Sequence, residues 1–109
     1  MSKIAKKWDE AVKALDVVLK KSPSDLDGHL LRGRVHLGKC ETTEAIQAFQ
    51  KVLKAEPRLA PMRYQLALAH LQAGSPQQAK TELKEAVTIA PNFADAVLLL
   101  AEINIRAGA

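Results

Sequence analysis

The chain has 109 residues, the size of one ordinary domain, and Ala (18) and Leu (15) dominate its apolar content while aromatics are only 4%. That composition favours helices over strands, so it excludes a β-sandwich or barrel and disfavours an aromatic ligand cage. A lone cysteine, Cys40, excludes an internal disulfide framework and a Cys-rich zinc module, and a net charge of +4 leaves nucleic acid to be weighed.

The first predicted helix covers about residues 5–21. Residues 1–23 hold six Lys and three acids, a net of +3, whereas residues 24–109 carry only +1. The basic excess is therefore one helix surface, not a face across the molecule. Phosphate binding through Lys3, Lys6, Lys7, Lys13, Lys20 and Lys21 would show as affinity falling steeply with salt. A solvated helix face explains these lysines more simply, and no nucleic-acid partner is expected. The N-terminal lysines have no apolar signal core behind them. No apolar run approaches the roughly 20 residues that span a bilayer, so no membrane insertion is expected. A cytoplasmic setting follows if the chain is complete as given.

Ser24 or Asp25 can cap a second helix that runs to about Lys39. Thr42 or Thr43 can cap a third, which Pro57 ends. A fourth helix begins near residue 60 and closes at Gly74. Ser75-Pro76 starts a fifth, with Pro at a first helical position. Asn92 can cap a sixth over about 94–107.

These elements repeat. Pro23, Pro57 and Pro91 are spaced 34 apart, and the segments before them align without gaps. Ala11, Ala45 and Ala79 fall in register, as do Leu15, Phe49 and Leu83, and then Val18, Val52 and Ala86. Spacings of four and three put each trio on one helix face. In the intervening helices Gly33, Ala67 and Ala101 align as the small residue, followed by His36, His70 and Asn104. Cys40, Gly74 and Gly108 align at the closing turn.

The pattern resembles the tetratricopeptide repeat: a small residue in the first helix, a large one a turn later, Gly near the turn, then Ala, a large residue and Pro. Gly33, His36, Ala45, Phe49 and Pro57 carry it in one repeat; Leu66, Ala67, His70, Gly74, Ala79, Leu83, Ala86 and Pro91 carry it in the next. The match covers nearly the whole chain, and the repeats are similar in style to those of long bacterial arrays. Departures exist: His29, Arg63 and Val97 replace a large aromatic, Arg32 takes an apolar position, and Cys40 replaces the turn Gly. The resemblance implies an all-α solenoid of antiparallel helix pairs, about six helices. In its register residues 1–109 form one domain: a lone second helix (5–21), two repeats (26–57 and 60–91) and a lone first helix (94–107).

Such a division leaves unpartnered helices at both ends. The last is apolar on nearly every face and roughly 21 Å long. Trp8, Val12, Leu15 and Leu19 of the first helix, with Val97, Leu99, Leu100 and Ile103 of the last, are therefore candidates for pairing between chains. A homo-oligomer is the expected outcome, closed or open according to symmetry.

The resemblance further implies a non-catalytic protein-interaction scaffold whose concave groove, lined by first helices, binds a peptide or an amphipathic helix. That lining would comprise Leu30, Leu31, Arg34, Tyr64, Gln65, Leu68, Leu71, Leu98, Glu102 and Arg106. These are mostly Leu, Tyr and Gln, whereas family members that clamp acidic chaperone C-termini use Lys, Asn and Arg. His36 and Cys40 could supply half a zinc site, but no second pair is evident. No catalytic constellation and no cofactor motif stands out, so neither enzyme activity nor a cofactor is expected.

Overall fold

The computed structural model describes residues 3–108. Six helices follow one another: α1 (Lys3–Lys21), α2 (Leu26–Gly38), α3 (Thr42–Ala55), α4 (Ala60–Gln72), α5 (Pro76–Ile89) and α6 (Ala94–Arg106). Each packs against its neighbours in sequence, α2 with α3 and α4 with α5 most extensively. The result is an all-α solenoid. Its extents are 45 × 34 × 20 Å and its radius of gyration is 14.7 Å. A compact globule of this length would have about 13 Å, so the helices form an open stack.

Short turns set the antiparallel pairing. Cys40, Gly74 and Gly108 all adopt positive φ, at 62°, 78° and 77°. Glycine does this freely, whereas Cys40 carries a side chain into a conformation that costs about 1–2 kcal/mol. Asp25 caps α2 by accepting the Gly28 N–H at 3.1 Å. Ser75 occupies the N-cap of α5, with Pro76 behind it. Two expected caps do not form. The N-cap of α3 is Glu41; Thr42 is already the first helical residue, and its hydroxyl donates to Gln72 Oε1 at 2.7 Å. The N-cap of α6 is Phe93, not Asn92, since the Phe93 ring packs on Tyr64 with centroids 5.4 Å apart.

The core is two clusters in series. One joins Ala45, Phe49 and Val52 of α3 to Met62, Leu66 and Ala69 of α4. The other joins Ala67 of α4, Ala79, Leu83 and Ala86 of α5, and Ala96 of α6. Close approach makes the first possible: a Cβ on Gly33 would lie 2.5 Å from Phe49 Cε1. Two substitutions should therefore shift the urea midpoint in opposite directions. Gly33→Ala forces Phe49 aside and should destabilise by about 1–3 kcal/mol; Cys40→Gly relieves the turn and should stabilise by about 1 kcal/mol.

Candidate functional site

The period places equivalent first-helix residues side by side. Three rows result across α2, α4 and α6: Leu30, Tyr64 and Leu98; Leu31, Gln65 and Leu99; Arg34, Leu68 and Glu102. Leu98 is 62% exposed and Leu31 45%, whereas Tyr64, Gln65, Leu68 and Leu99 are half-buried. Leu30 packs against the first core cluster, and Tyr64 and Leu71 against the second. These three are thus partly taken up by core packing; the open part of the rows is Leu31 and Leu98, with Leu68 half-buried and Arg34, Glu102 and Arg106 exposed beside them. Tyr64, Leu98, Leu99 and Glu102 meet with Asp95 around a depression of about 220 Å³.

The family profile "Tetratricopeptide repeat" matches residues 5–60, and "Tetratricopeptide repeat protein 21 second ARM domain" matches residues 38–108. The chain belongs to the tetratricopeptide repeat family. Its curated relatives include the tetratricopeptide repeat and J domain-containing co-chaperone DNJ1 of Fusarium oxysporum f. sp. lycopersici, 28% identical over 88 residues. That match covers 79% of this chain and 17% of the co-chaperone. Among solved structures, MamA 41-end from Desulfovibrio magneticus RS-1 superposes with a TM-score of 0.88 at 24% identity, over 95% of this chain and 59% of that one. The first TPR of Spaghetti (RPAP3), bound to the HSP90 peptide SRMEEVD, superposes with 0.87 at 14% identity, over 96% and 83%. At these identities the structures share the fold. The tetratricopeptide repeat is in general a protein-interaction module, and a scaffold role follows for this chain.

The departures from the tetratricopeptide pattern have structural partners. His29 donates from Nε2 to the Pro23 carbonyl at 2.7 Å. Arg63, one period later, donates to the Pro57 carbonyl at 3.0 and 3.2 Å and pairs with Glu82 at 2.8 Å. Both polar residues thus tie the helix start to the preceding turn, where an aromatic would only fill space. Arg32, at an otherwise apolar position, pairs with Asp16 of α1 at 2.8 Å.

That pair belongs to a polar strap between α1 and α2. Asp9 and Asp16 lie seven apart on α1; Lys39 and Arg32 lie seven apart at the end of α2 and on it. The helices are antiparallel, so Asp9 meets Lys39 at 2.6 Å while Asp16 meets Arg32. Arg32 Nε donates to His36 Nε2 at 3.4 Å, leaving Nδ1 to donate to Glu41 at 2.8 Å. His36, Glu41 and Glu44 bring ligand atoms within 4.8 Å of one another. Both nitrogens of His36 are engaged in these hydrogen bonds. Cys40 Sγ accepts from Gln72 Nε2 at 3.8 Å.

Two residues expected to pair between chains pack on α2 within this one. Leu19 is buried against Gly28, and the Trp8 ring lies on Gly38. Val12 and Leu15 are half-buried, while the open apolar face of α1 holds Val17 and Val18. On α6, Leu99, Leu100 and Ile103 pack partly on the second cluster; Val97, Leu98 and Ile105 stay open. Among the described residues, no helix is long and apolar enough to cross a membrane.

The carboxylates and the lysine of this strap lose their contributions at opposite ends of the pH range. The Lys39 ammonium holds Asp9 below the ordinary carboxylate range, and the His36 hydrogen bond does the same for Glu41. Asp9 in turn raises Lys39. The carboxylate contributions are present above the ordinary carboxylate pKa and are lost as pH falls through the lowered values; the Lys39 contribution is lost only as pH rises above its raised value. Below about pH 5, urea midpoints should therefore fall less steeply for the variant Asp9→Asn/Glu41→Gln than for the parent chain. An unchanged acid limb would show that the strap contributes nothing.

Proposed function

We propose that the chain is a non-catalytic scaffold that binds a peptide or an amphipathic helix along the rows of α2, α4 and α6. The observation that carries this reading is the exposure of Leu31 and Leu98 beside half-buried Tyr64 and Leu68 on consecutive first helices. Isolated exposed leucines are ordinary on a surface, but aligned ones offer repeated anchors for a helix with apolar residues at i, i+3, i+4 and i+7. Displaying a randomised peptide library against the chain should select sequences with that spacing. Fluorescence polarisation should then show binding weakened about tenfold by Tyr64→Ala or Leu98→Asp, a difference of about 1.4 kcal/mol. Circular dichroism checks that the helices persist. Selection of no peptide above background would sink the reading.

A second reading, self-assembly through the terminal helices, is favoured by one comparison of equivalent positions. Ala45, Phe49 and Val52, and likewise Ala79, Leu83 and Ala86, are 0–1% exposed. Their α1 equivalents Ala11 and Leu15 are half-buried, and Val18 is 42% exposed. Ala101 of α6 is exposed where Ala67 is fully buried. Pairing α6 of one copy with α1 of another would bring the small residue against the large one, as Gly33 meets Phe49. Light scattering of the 109-residue chain across a dilution series should show mass rising with concentration, and Val18→Asp should abolish the rise. A constant monomer mass would reject the pairing.

A further inference from the structure

Two equivalent histidines are buried in the first helices, and one of them lacks a partner. His36 and His70 stand 34 residues apart, and each is 7% exposed. Each backbone carbonyl accepts, at 2.8 Å, the N–H of the residue five places on, Glu41 in one repeat and Ser75 in the next. Glu41 and Ser75 are also the N-caps of α3 and α5. The backbones of the two turns therefore match, while their side chains differ. The Glu41 carboxylate accepts from His36 Nδ1 at 2.8 Å. His70 Nδ1 is buried with no hydrogen-bond partner, which costs stability. The Ser75 hydroxyl stops short of the reach of Glu41, and it makes no capping bond to α5 either.

The start of α5 also lacks an anion. Where α3 has Glu41 and Glu44, α5 has Ser75 and Gln78, and no acidic residue lies in its first turn. Pro76 has no N–H, so the N–H groups of Gln77 and Gln78 are left to face a negative charge. Gly74, Pro76 and Gln77 are exposed, and nothing lies within 4 Å of where a Cβ on Gly74 would stand. The turn is thus open to a second protein.

We propose that Ser75 is a phosphorylation site whose phosphate docks at the start of α5 and accepts a hydrogen bond from His70 Nδ1. A phosphoserine oxygen stands the same number of bonds from Cα as a glutamate oxygen, so the modified side chain has the reach of Glu41. In the transfer, Ser75 Oγ attacks the terminal phosphorus of a nucleoside triphosphate. The Oγ–P bond forms, the bond to the departing nucleoside diphosphate breaks, and the hydroxyl proton passes to the base of the kinase. The product adds a charge of about −1.5 to −2 at a helix N-terminus, where negative charge is stabilising. Pro76 directly after Ser75 is the mark that proline-directed kinases read. Ser22-Pro23 has the same mark but follows α1 instead of starting a helix, and so serves as the internal comparison. Phosphorylation makes the second repeat match the first and fixes the turn after α4, the helix that contributes to both core clusters.

The 109-residue chain is treated with a proline-directed kinase and ATP, and mass spectrometry locates the phosphate. It is also synthesised with phosphoserine at position 75 or at position 22. The kinase should label Ser75. Phosphoserine at 75 should raise Tm by about 4 °C and move the His70 Nδ1 resonance in nitrogen NMR; phosphoserine at 22 should do neither. In His70→Leu the rise should fall by at least half. There the modified and unmodified forms are compared with each other, so the cost of the substitution itself cancels. Ser75→Glu, which copies the first repeat, should recover part of the rise without a phosphate. Phosphoserine at 75 that leaves Tm unchanged or lowers it overturns the proposal. An undiminished rise in His70→Leu, an unmoved His70 resonance, or labelling of Ser22 alone overturns it equally.

Discussion

Everything in this fold depends on how closely a first helix can approach the second helix of its own repeat. Gly33 lets the Phe49 ring come to within the distance a Cβ would need. One period on, Ala67 and Leu83 lie together in the second cluster, both fully buried. A smaller partner goes with a larger ring, and a methyl goes with a branched aliphatic chain. The summed volume is thereby kept nearly constant, which close-packed interiors require. With the pair spacing fixed, successive first helices fall side by side, and their outward residues line up in rows.

Much of this was legible from the 34-residue period, because it reports which residues must be small, large or turn-forming. Asp25 was readable as a cap, since a short acidic side chain before an apolar helix has a donor to reach. Thr42 and Asn92 were misread by the same rule. The register itself held the correction: Asp25, Leu59 and Phe93 are equivalent and all three are N-caps, as are Glu41 and Ser75. Residue type chose Asn92; position chose Phe93, whose ring packs on Tyr64. The Glu41 carboxylate turns back to His36 and leaves the α3 backbone uncapped by a side chain.

The polar strap was less visible. Asp9, Asp16, Arg32 and Lys39 look like scattered surface charges until two antiparallel helices bring the seven-residue spacings together. Arg32 appeared as a flaw in an apolar stripe; Asp16 and His36 explain it. Within the candidate site, the rows were legible but their exposure was not. Leu30, Leu68 and Leu98 read alike in sequence, yet Leu30 packs on the first core cluster while Leu98 is 62% exposed.

A core divided into two clusters changes how the molecule comes apart. Each cluster spans one joint, and α4 contributes to both. Stability then accumulates from neighbour to neighbour instead of residing in a single centre. In the 109-residue chain, opening α1 or α6 leaves the contacts of α3, α4 and α5 in place, so protection from hydrogen exchange is expected to be deepest around α4. The exposed apolar residues of α6 therefore sit on an element expected to open more readily than α4, and anything bound there would slow that opening as well as occupy the surface.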